Sequence, residues 1–303
     1  MDWKAMEMNE YLSQFNKYLE EEKGMSQNSL IAYERDLTDF QRFISDKKIQ
    51  RVDEISKTEI IAYLLQLKND GKSAATVNRK LASLRAFFQY IVSHGGLTEN
   101  PTENIKSPRI ERKEIQYLTV TEIERLLSQP DDSIKGIRDK ALLEILYASG
   151  MRVSEIAGAD LEDINLRIGF ILSRGEYGKA RIIPLGRPAR AALETYFYEG
   201  RPKLIREKNR NCQALFVNYN GERLTRQGIW KLIKQYAKGA GLGKKLTPQI
   251  LRNSFAIHMI QNGADLKSLQ ELLGHEDISA TQVYLSASKN RIKDVYDKTH
   301  PRA

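Results

Sequence analysis

Apolar residues recur at helical spacing through the first hundred positions. Between Met8 and Glu22, Tyr11, Leu12, Phe15, Tyr18 and Leu19 follow an i, i+3, i+4, i+7 pattern, and Gly24 stops it. Ser26 is a candidate N-cap for a second, long helix with Leu30, Tyr33, Leu37, Phe40 and Ile44 on one stripe. Ser56 and Glu59 have the spacing of a capping box, which predicts a third helix through Leu67, closed by Gly71. Ser73 opens a fourth, with Val77, Leu81, Leu84, Phe88 and Ile91 on its apolar stripe and Arg79, Lys80 and Arg85 off it. Residues 95–117 break the pattern: they hold Gly95, Gly96, Pro101 and Pro108 and no amphipathic period, and are read as a linker.

Beyond it, Thr119 and Glu122 form another capping box, and helices are predicted over 120–129 and 134–149, then a short one after Val153. Asp163–Ser173 and Arg181–Leu185, rich in Ile and Leu, predict strands around a hairpin-like turn, with Leu215–Asn218 as a possible third. Helices are expected again over 187–198, 225–239, 248–262, 265–273, 279–285 and 288–297. The fold class is therefore mainly α, with a small antiparallel sheet in the second of two domains. The expected division is a helical domain over residues 1–94, the linker 95–117 and a second domain over 118–303.

Length agrees with two domains, since 303 residues exceed what one ordinary hydrophobic core organises. A single cysteine, Cys212, excludes a disulfide framework and a cysteine-based zinc site. The four histidines, His94, His258, His275 and His300, are too dispersed in sequence for a local metal cluster. No apolar run is long enough to span a bilayer, and the first residues lack a secretory core. The expectation is an intracellular, cytoplasmic protein with no membrane partner.

Charge changes the picture more. The net +9 is concentrated: residues 72–113 carry +5 and residues 201–245 carry +10, while the segments before and between them are acidic. Two separated basic stretches fit an extended polyanion touched at two places, although lysine-rich solvated surface has the same composition. Arg79, Lys80 and Arg85 in the first stretch and Arg226 and Lys231 in the second are the candidate contacts to such a polyanion.

Several short segments could carry chemistry. Arg152 in Ala148-Ser-Gly-Met-Arg-Val-Ser-Glu155 stands at the mouth of a helix, where it could face an anion or simply lie on the surface. The turn Arg174-Gly-Glu-Tyr-Gly-Lys-Ala-Arg181 could reach a phosphate or be an ordinary exposed turn. Gln249 and Arg252, three residues apart, share a helical face, while His258 falls by the apolar stripe and reads as a packed residue. His275 follows a helix-ending glycine and is either exposed for function or a complement to the helix dipole. Tyr284 is one of 14 tyrosines, most of which must be packing residues, yet a tyrosine can act as a nucleophile. Together Arg152, Arg252, His275 and Tyr284 supply two guanidinium forks, a proton carrier and a hydroxyl. These types suit phosphoryl transfer without a metal or other cofactor.

The stretches SGMRVSEI, LRNSFAIHMIQNGADLKSLQELLGH and ISATQVY, in this order, resemble the tyrosine recombinase (phage integrase) family, and most closely its bacterial Xer type. The resemblance covers nearly the whole chain and its motifs are long. It implies a two-domain DNA clamp whose N-terminal helical unit is the core-binding, SAM-like domain. It also implies that Arg152 and Arg252 are the family's two arginines, His275 the histidine of its Leu-Gly-His motif and Tyr284 the nucleophile. By this resemblance the tyrosine attacks the scissile phosphate, leaving a 3′-phosphotyrosyl bond and a 5′-hydroxyl, with no cofactor consumed. Four protomers, identical or of two kinds, would hold two duplexes and pass through a Holliday junction, linked by the C-terminal segment 288–303. Chromosome-dimer resolution or mobile-element integration and excision would be the role.

Three positions depart from the family's pattern. Gln249 stands where the family has His or Lys, Asn253 where Xer proteins commonly have His, and Glu176 where the β-turn has its lysine. Lys179, three residues on, is the candidate substitute proton donor. The alternative expectation is a catalytically impaired relative that binds DNA as an architectural or regulatory protein.

Overall fold

A computed structural model describes residues 7–109, 114–175, 180–243, 246–275 and 277–287. The chain divides into two compact units, Met1–Arg112 and Lys113–Ala303.

Among the described residues the first unit holds four α-helices: α1 (Met8–Glu21), α2 (Gln27–Asp46), α3 (Lys57–Asn69) and α4 (Ala74–Ser93). Each of the three predicted serine caps forms. Ser26, Ser56 and Ser73 accept backbone N–H groups that the helix cannot satisfy itself. The apolar stripes meet in one core around Phe15, Leu37, Phe40, Ile60, Leu81, Phe87 and Phe88, each with no exposed surface. Burial of each large apolar side chain of this kind contributes roughly 1.5–3 kcal/mol, which makes this core the main source of the unit's stability.

Two features differ from the sequence reading. Residues 95–109, expected to be a linker, lie against α4. Ile105 joins the core, Arg85 donates to the Ile105 carbonyl and, at 3.2 Å, to Ser107 Oγ, and Asn78 donates to the Pro108 carbonyl at 2.9 Å. Lys80 is also not a surface cation. It is 4% exposed, its Nζ lies 2.8 Å from Asp39 and 3.2 Å from Asp36, and Asp36 is itself buried. Arg79 completes the group through an ion pair with Asp36, and Ser83 Oγ donates to the same carboxylate at 2.9 Å. The expectation that Lys80 contacts DNA is therefore corrected. An acid 44 positions earlier folds beside it, and burial without that partner would be prohibitive.

The second unit contains α5 (Val120–Leu127), α6 (Ile134–Ser149), α7 (Val153–Gly158), β1 (Ile164–Asn165), β2 (Phe170–Ser173), β3 (Arg181–Pro184), α8 (Arg187–Thr195), α9 (Arg201–Leu204), α10 (Arg226–Gly239), α11 (Pro248–Gln261), α12 (Leu266–Leu273) and α13 (Ser279–Ala287). Helix α6 buries Ala141, Leu142, Leu143, Ile145 and Leu146 in the core and carries the Lys140–Glu144 ion pair on its remaining side. The sheet is antiparallel in the order β1-β2-β3. Its first two strands were expected as one. Asn165 breaks the segment by accepting the Gly169 N–H on its carbonyl and the Ile168 N–H on its side chain, while Gly169 adopts φ +87°. Residues 215–218 form no strand of this sheet, since Ala214 and Val217 make isolated bridges to Asp160 and Arg223.

Candidate active site

Helix α11 supplies the centre. Thr247 caps it and Pro248 occupies its first turn. One of its faces carries Gln249, Arg252 and Asn253 at helical spacing. Arg252 is 3% exposed, and its guanidinium donates to the Gly150 carbonyl at 2.6 Å and to the Leu273 carbonyl at 2.7 Å. These two oxygens belong to the C-terminal ends of α6 and α12, so the fork ties both helix ends to α11 and satisfies orphan carbonyls. Gly150, at φ +58°, must be glycine: a Cβ there would stand 2.3 Å from the Phe255 ring.

The Arg252 guanidinium also faces His275 Nε2 at 3.0 Å. A guanidinium only donates, so Nε2 must carry the lone pair and Nδ1 the proton, which it gives to Thr281 Oγ1 at 2.9 Å. His275 is thereby held neutral, and burial, then the charge of Arg252, pushes its pKa down to about 4. Arg252 itself is pushed down to about 10 by burial and by the charge of Arg152, and stays cationic at neutral pH.

Glu155 organises the other two guanidiniums. It accepts the Arg152 backbone N–H at 2.7 Å, and its Oε1 lies 3.6 Å from the Arg152 side chain. Arg181 forks onto both of its oxygens at 2.8 and 2.9 Å and reaches the Leu272 carbonyl at 2.7 Å. Burial pushes the Glu155 carboxyl up, but the Arg181 fork and the Arg152 N–H outweigh it and leave the group below its usual value. Three guanidiniums around one carboxylate leave a local cationic excess, an environment that attracts a phosphate.

Tyr284 lies in α13, 4% exposed, within a cluster formed by Phe255, Ile260, Leu269 and Leu273. Its ring stacks on His275 with centroids 6.4 Å apart. Its hydroxyl donates to Asn253 Oδ1 at 3.2 Å. Burial raises its pKa, while Arg252 and Arg152 act in the opposite direction.

A cleft of about 1130 Å³ opens beside this group, lined by Arg152, Arg226, Trp230, Lys231, Gln249 and Arg252 among others. Thus Arg226 and Lys231, two sequence candidates for DNA contact, share one cleft with Gln249 and both arginines. Lys179 and Glu176 lie outside the described residues. Arg174, at the start of the same turn, is paired with Asp163 at 2.8 Å and Glu162 at 2.5 Å. His258 is packed, with Nδ1 2.9 Å from the Tyr147 hydroxyl. Among the described residues no group of three His, Cys, Asp or Glu side chains could hold a metal ion.

Sequence reasoning missed Glu155 and Arg181 as partners. Glu155, three residues after Arg152, had the spacing of a helix-capping acid, which was the available signal. Nothing local in the sequence pairs Arg181 with it, because β3 and α7 meet only in the folded unit.

Two helical units, with a buried hydroxyl and a ring of guanidiniums beside a basic cleft, define a protein that handles the phosphates of a polyanion. Comparison narrows the class. Residues 116–291 match the phage integrase family, and residues 12–95 match the phage integrase N-terminal SAM-like domain. The chain is 44% identical over 298 residues to a protein of Listeria innocua named tyrosine recombinase XerD, covering 98% of this chain and 100% of that one. It is 42% identical over 297 residues to a Staphylococcus epidermidis protein of the same name, covering 98% of this chain and 100% of the relative. Among solved structures, XerH site-specific recombinase bound to difH substrate, in a pre-cleavage complex, is similar with a TM-score of 0.68 at 25% identity, covering 90% of this chain and 80% of that one. A lambda integrase tetramer bound to a Holliday junction shares the fold with a TM-score of 0.72 at 20% identity, covering 92% of this chain and 77% of that one. The chain belongs to the phage integrase family, the tyrosine recombinases.

Proposed function

We propose that this recombinase cuts and rejoins duplex DNA through Tyr284, with Arg152 and Arg252 holding the scissile phosphate and His275 beside them. The observation that carries the reading is the Arg252–His275 contact standing next to the buried Tyr284. The Tyr284 hydroxyl gives up its proton to water as its oxygen forms a bond to phosphorus, the bond from phosphorus to the 5′ oxygen breaks, and that oxygen takes up a proton and leaves as a hydroxyl. The phosphodiester's bond energy is kept in the phosphotyrosyl link, so rejoining needs no cofactor. Lys179, which lies outside the described residues, is the proposed donor of that proton. Arg226 and Lys231 contact the backbone of the duplex from the cleft.

The relatives named tyrosine recombinase XerD, matched along their full length, support a role in resolving chromosome dimers over a mobile-element role. They also disfavour an impaired, purely architectural protein. In assembly, four protomers would be linked through residues 288–303, which lie outside the described residues. No described helix is long and apolar enough to cross a membrane.

The test is a suicide duplex bearing a candidate chromosomal recombination site with a nick beside the cleavage point. On a denaturing gel the parent should give a covalent protein–DNA band. Tyr284→Phe should bind the duplex as the parent does and give none. A covalent band of undiminished strength in that variant would remove Tyr284 as nucleophile.

A further inference from the structure

Asn253 sits between the cleft and the buried tyrosine. Its Nδ2 donates to the Gln116 carbonyl at 3.0 Å. A carbonyl only accepts, so this contact settles which end of the amide is nitrogen and turns Oδ1 toward α13. Oδ1 then accepts two hydrogen bonds: from Gln249 Nε2 at 2.9 Å and from the Tyr284 hydroxyl at 3.2 Å. Gln249 is exposed in the cleft, Asn253 is half-buried and Tyr284 is buried. One oxygen therefore joins a cleft-lining amide to the tyrosine hydroxyl.

The chemistry of that oxygen matters. It accepts a hydrogen bond but cannot take the proton at any ordinary pH. A phenol donating to it stays protonated, and burial, which disfavours the phenolate, acts in the same direction. Tyr284 is thus docked in a form poorly suited to attack.

We propose that Asn253 is the positioning residue of the nucleophile: it docks the Tyr284 hydroxyl in the DNA-free protein, and through the oxygen shared with Gln249 it couples that docking to occupancy of the cleft. A phosphate or base edge that takes the Gln249 amide removes one of the two donors to this oxygen and alters the dock from outside. The proposal rests on reading Tyr284 as the nucleophile, but the resonance measurement that decides it needs no cleavage.

The other groups facing Tyr284 are charged or neutral without change near neutral pH. Arg252 on α11 and Arg152 before α7 remain cationic, and His275 after α12, with a pKa of about 4, remains neutral. The dock of the parent should therefore be insensitive to pH between about 5.5 and 7.5. A histidine at 253 would behave differently. Neutral imidazole can donate to Gln116 and accept from Tyr284, as the asparagine does, whereas imidazolium cannot accept. Its ordinary pKa is about 6.5.

The experiment uses the full chain labelled with tyrosine carrying 13C at Cζ, with the Tyr284 resonance assigned by its loss in Tyr284→Phe. In the parent this resonance should hold its position across that pH range. In Asn253→His it should move with a midpoint of about 6.5. In Asn253→Leu, similar in size and unable to accept, it should be displaced at every pH while DNA affinity and melting temperature stay close to the parent's. In Gln249→Ala, which leaves Asn253 and Tyr284 in place, it should also move. Single-turnover adduct formation by Asn253→His should change at least threefold more between the two pH limits than that of the parent. A Tyr284 resonance in Asn253→His and Asn253→Leu that follows the parent's in both position and pH course would overturn the proposal, and one that ignores Gln249→Ala would overturn the coupling.

Discussion

Replacing Lys80 by methionine separates a structural from a DNA-binding role. Methionine keeps most of the side-chain length and removes the charge. The residue is 4% exposed and its ammonium lies 3.2 Å from Asp36 and 2.8 Å from Asp39. Removing one partner of a buried pair costs about 3–5 kcal/mol, because the remaining charge is left uncompensated. Two features place this case at the low end. Arg79 still pairs with Asp36, and the Asp39 side chain is 41% exposed, so water can solvate it. We therefore expect a loss of about 3 kcal/mol, read as a lower urea midpoint with an unchanged slope for the transition of the first unit. Lys80 is pushed down by burial and up, by more, through Asp39, Tyr63 and Asp36, so its folded pKa lies above its usual value. The sign follows: the stabilisation is present below the ordinary lysine value and is lost as pH rises through the folded one. The companion measurement is duplex binding against salt, below the urea concentrations that unfold the protein. A lysine neutralising one phosphate contributes about 0.9 to the log–log slope, and Lys80→Met should leave that slope at the parent's value. Parental stability together with a slope reduced by about 0.9 would show that Lys80 faces DNA, and the buried triad would be refuted.

Arg226→Ala and Lys231→Ala should each weaken duplex binding and flatten the salt slope by about 0.9, since both line the basic cleft; unchanged slopes would remove the cleft from the DNA surface. Gly274→Ala should lower stability by roughly 1–2 kcal/mol and displace the loop carrying His275, because the residue has φ +64° and a Cβ there would meet the Arg181 guanidinium at 2.8 Å. Thermal melting and adduct yield would both fall, and a variant matching the parent in both would contradict the geometry. The His275 imidazole should titrate with a midpoint of about 4 by proton NMR, and its contribution to stability should be complete above the ordinary histidine value and decline as pH falls toward 4. A midpoint near the ordinary value would mean that the imidazole is neither buried nor held beside the arginines as described.

The sequence by itself determined the helices and much of the chemistry. Serine, threonine and glycine caps act on backbone groups within a few residues, so Ser26, Ser56, Ser73 and Thr119 mark real helix starts with no help from distant parts of the chain. Arg152, Arg252, His275 and Tyr284 were legible because their motifs are contiguous, and the fold brings them to one place. What tertiary structure decided is which cations are solvated and which atom faces which. Lys80 and Arg226 look alike in composition, yet one is buried against acids contributed by another helix and the other lines a cleft. Arg181 became a partner of Glu155, 26 positions away, only when β3 packed near α7. Asn253, noticed in the sequence only as a departure from a pattern, is seen to hold the Tyr284 hydroxyl. The physical reason is range. Capping and periodicity are short-range terms written in neighbouring residues, whereas burial of a charge is tolerable only beside a partner that the whole fold must deliver.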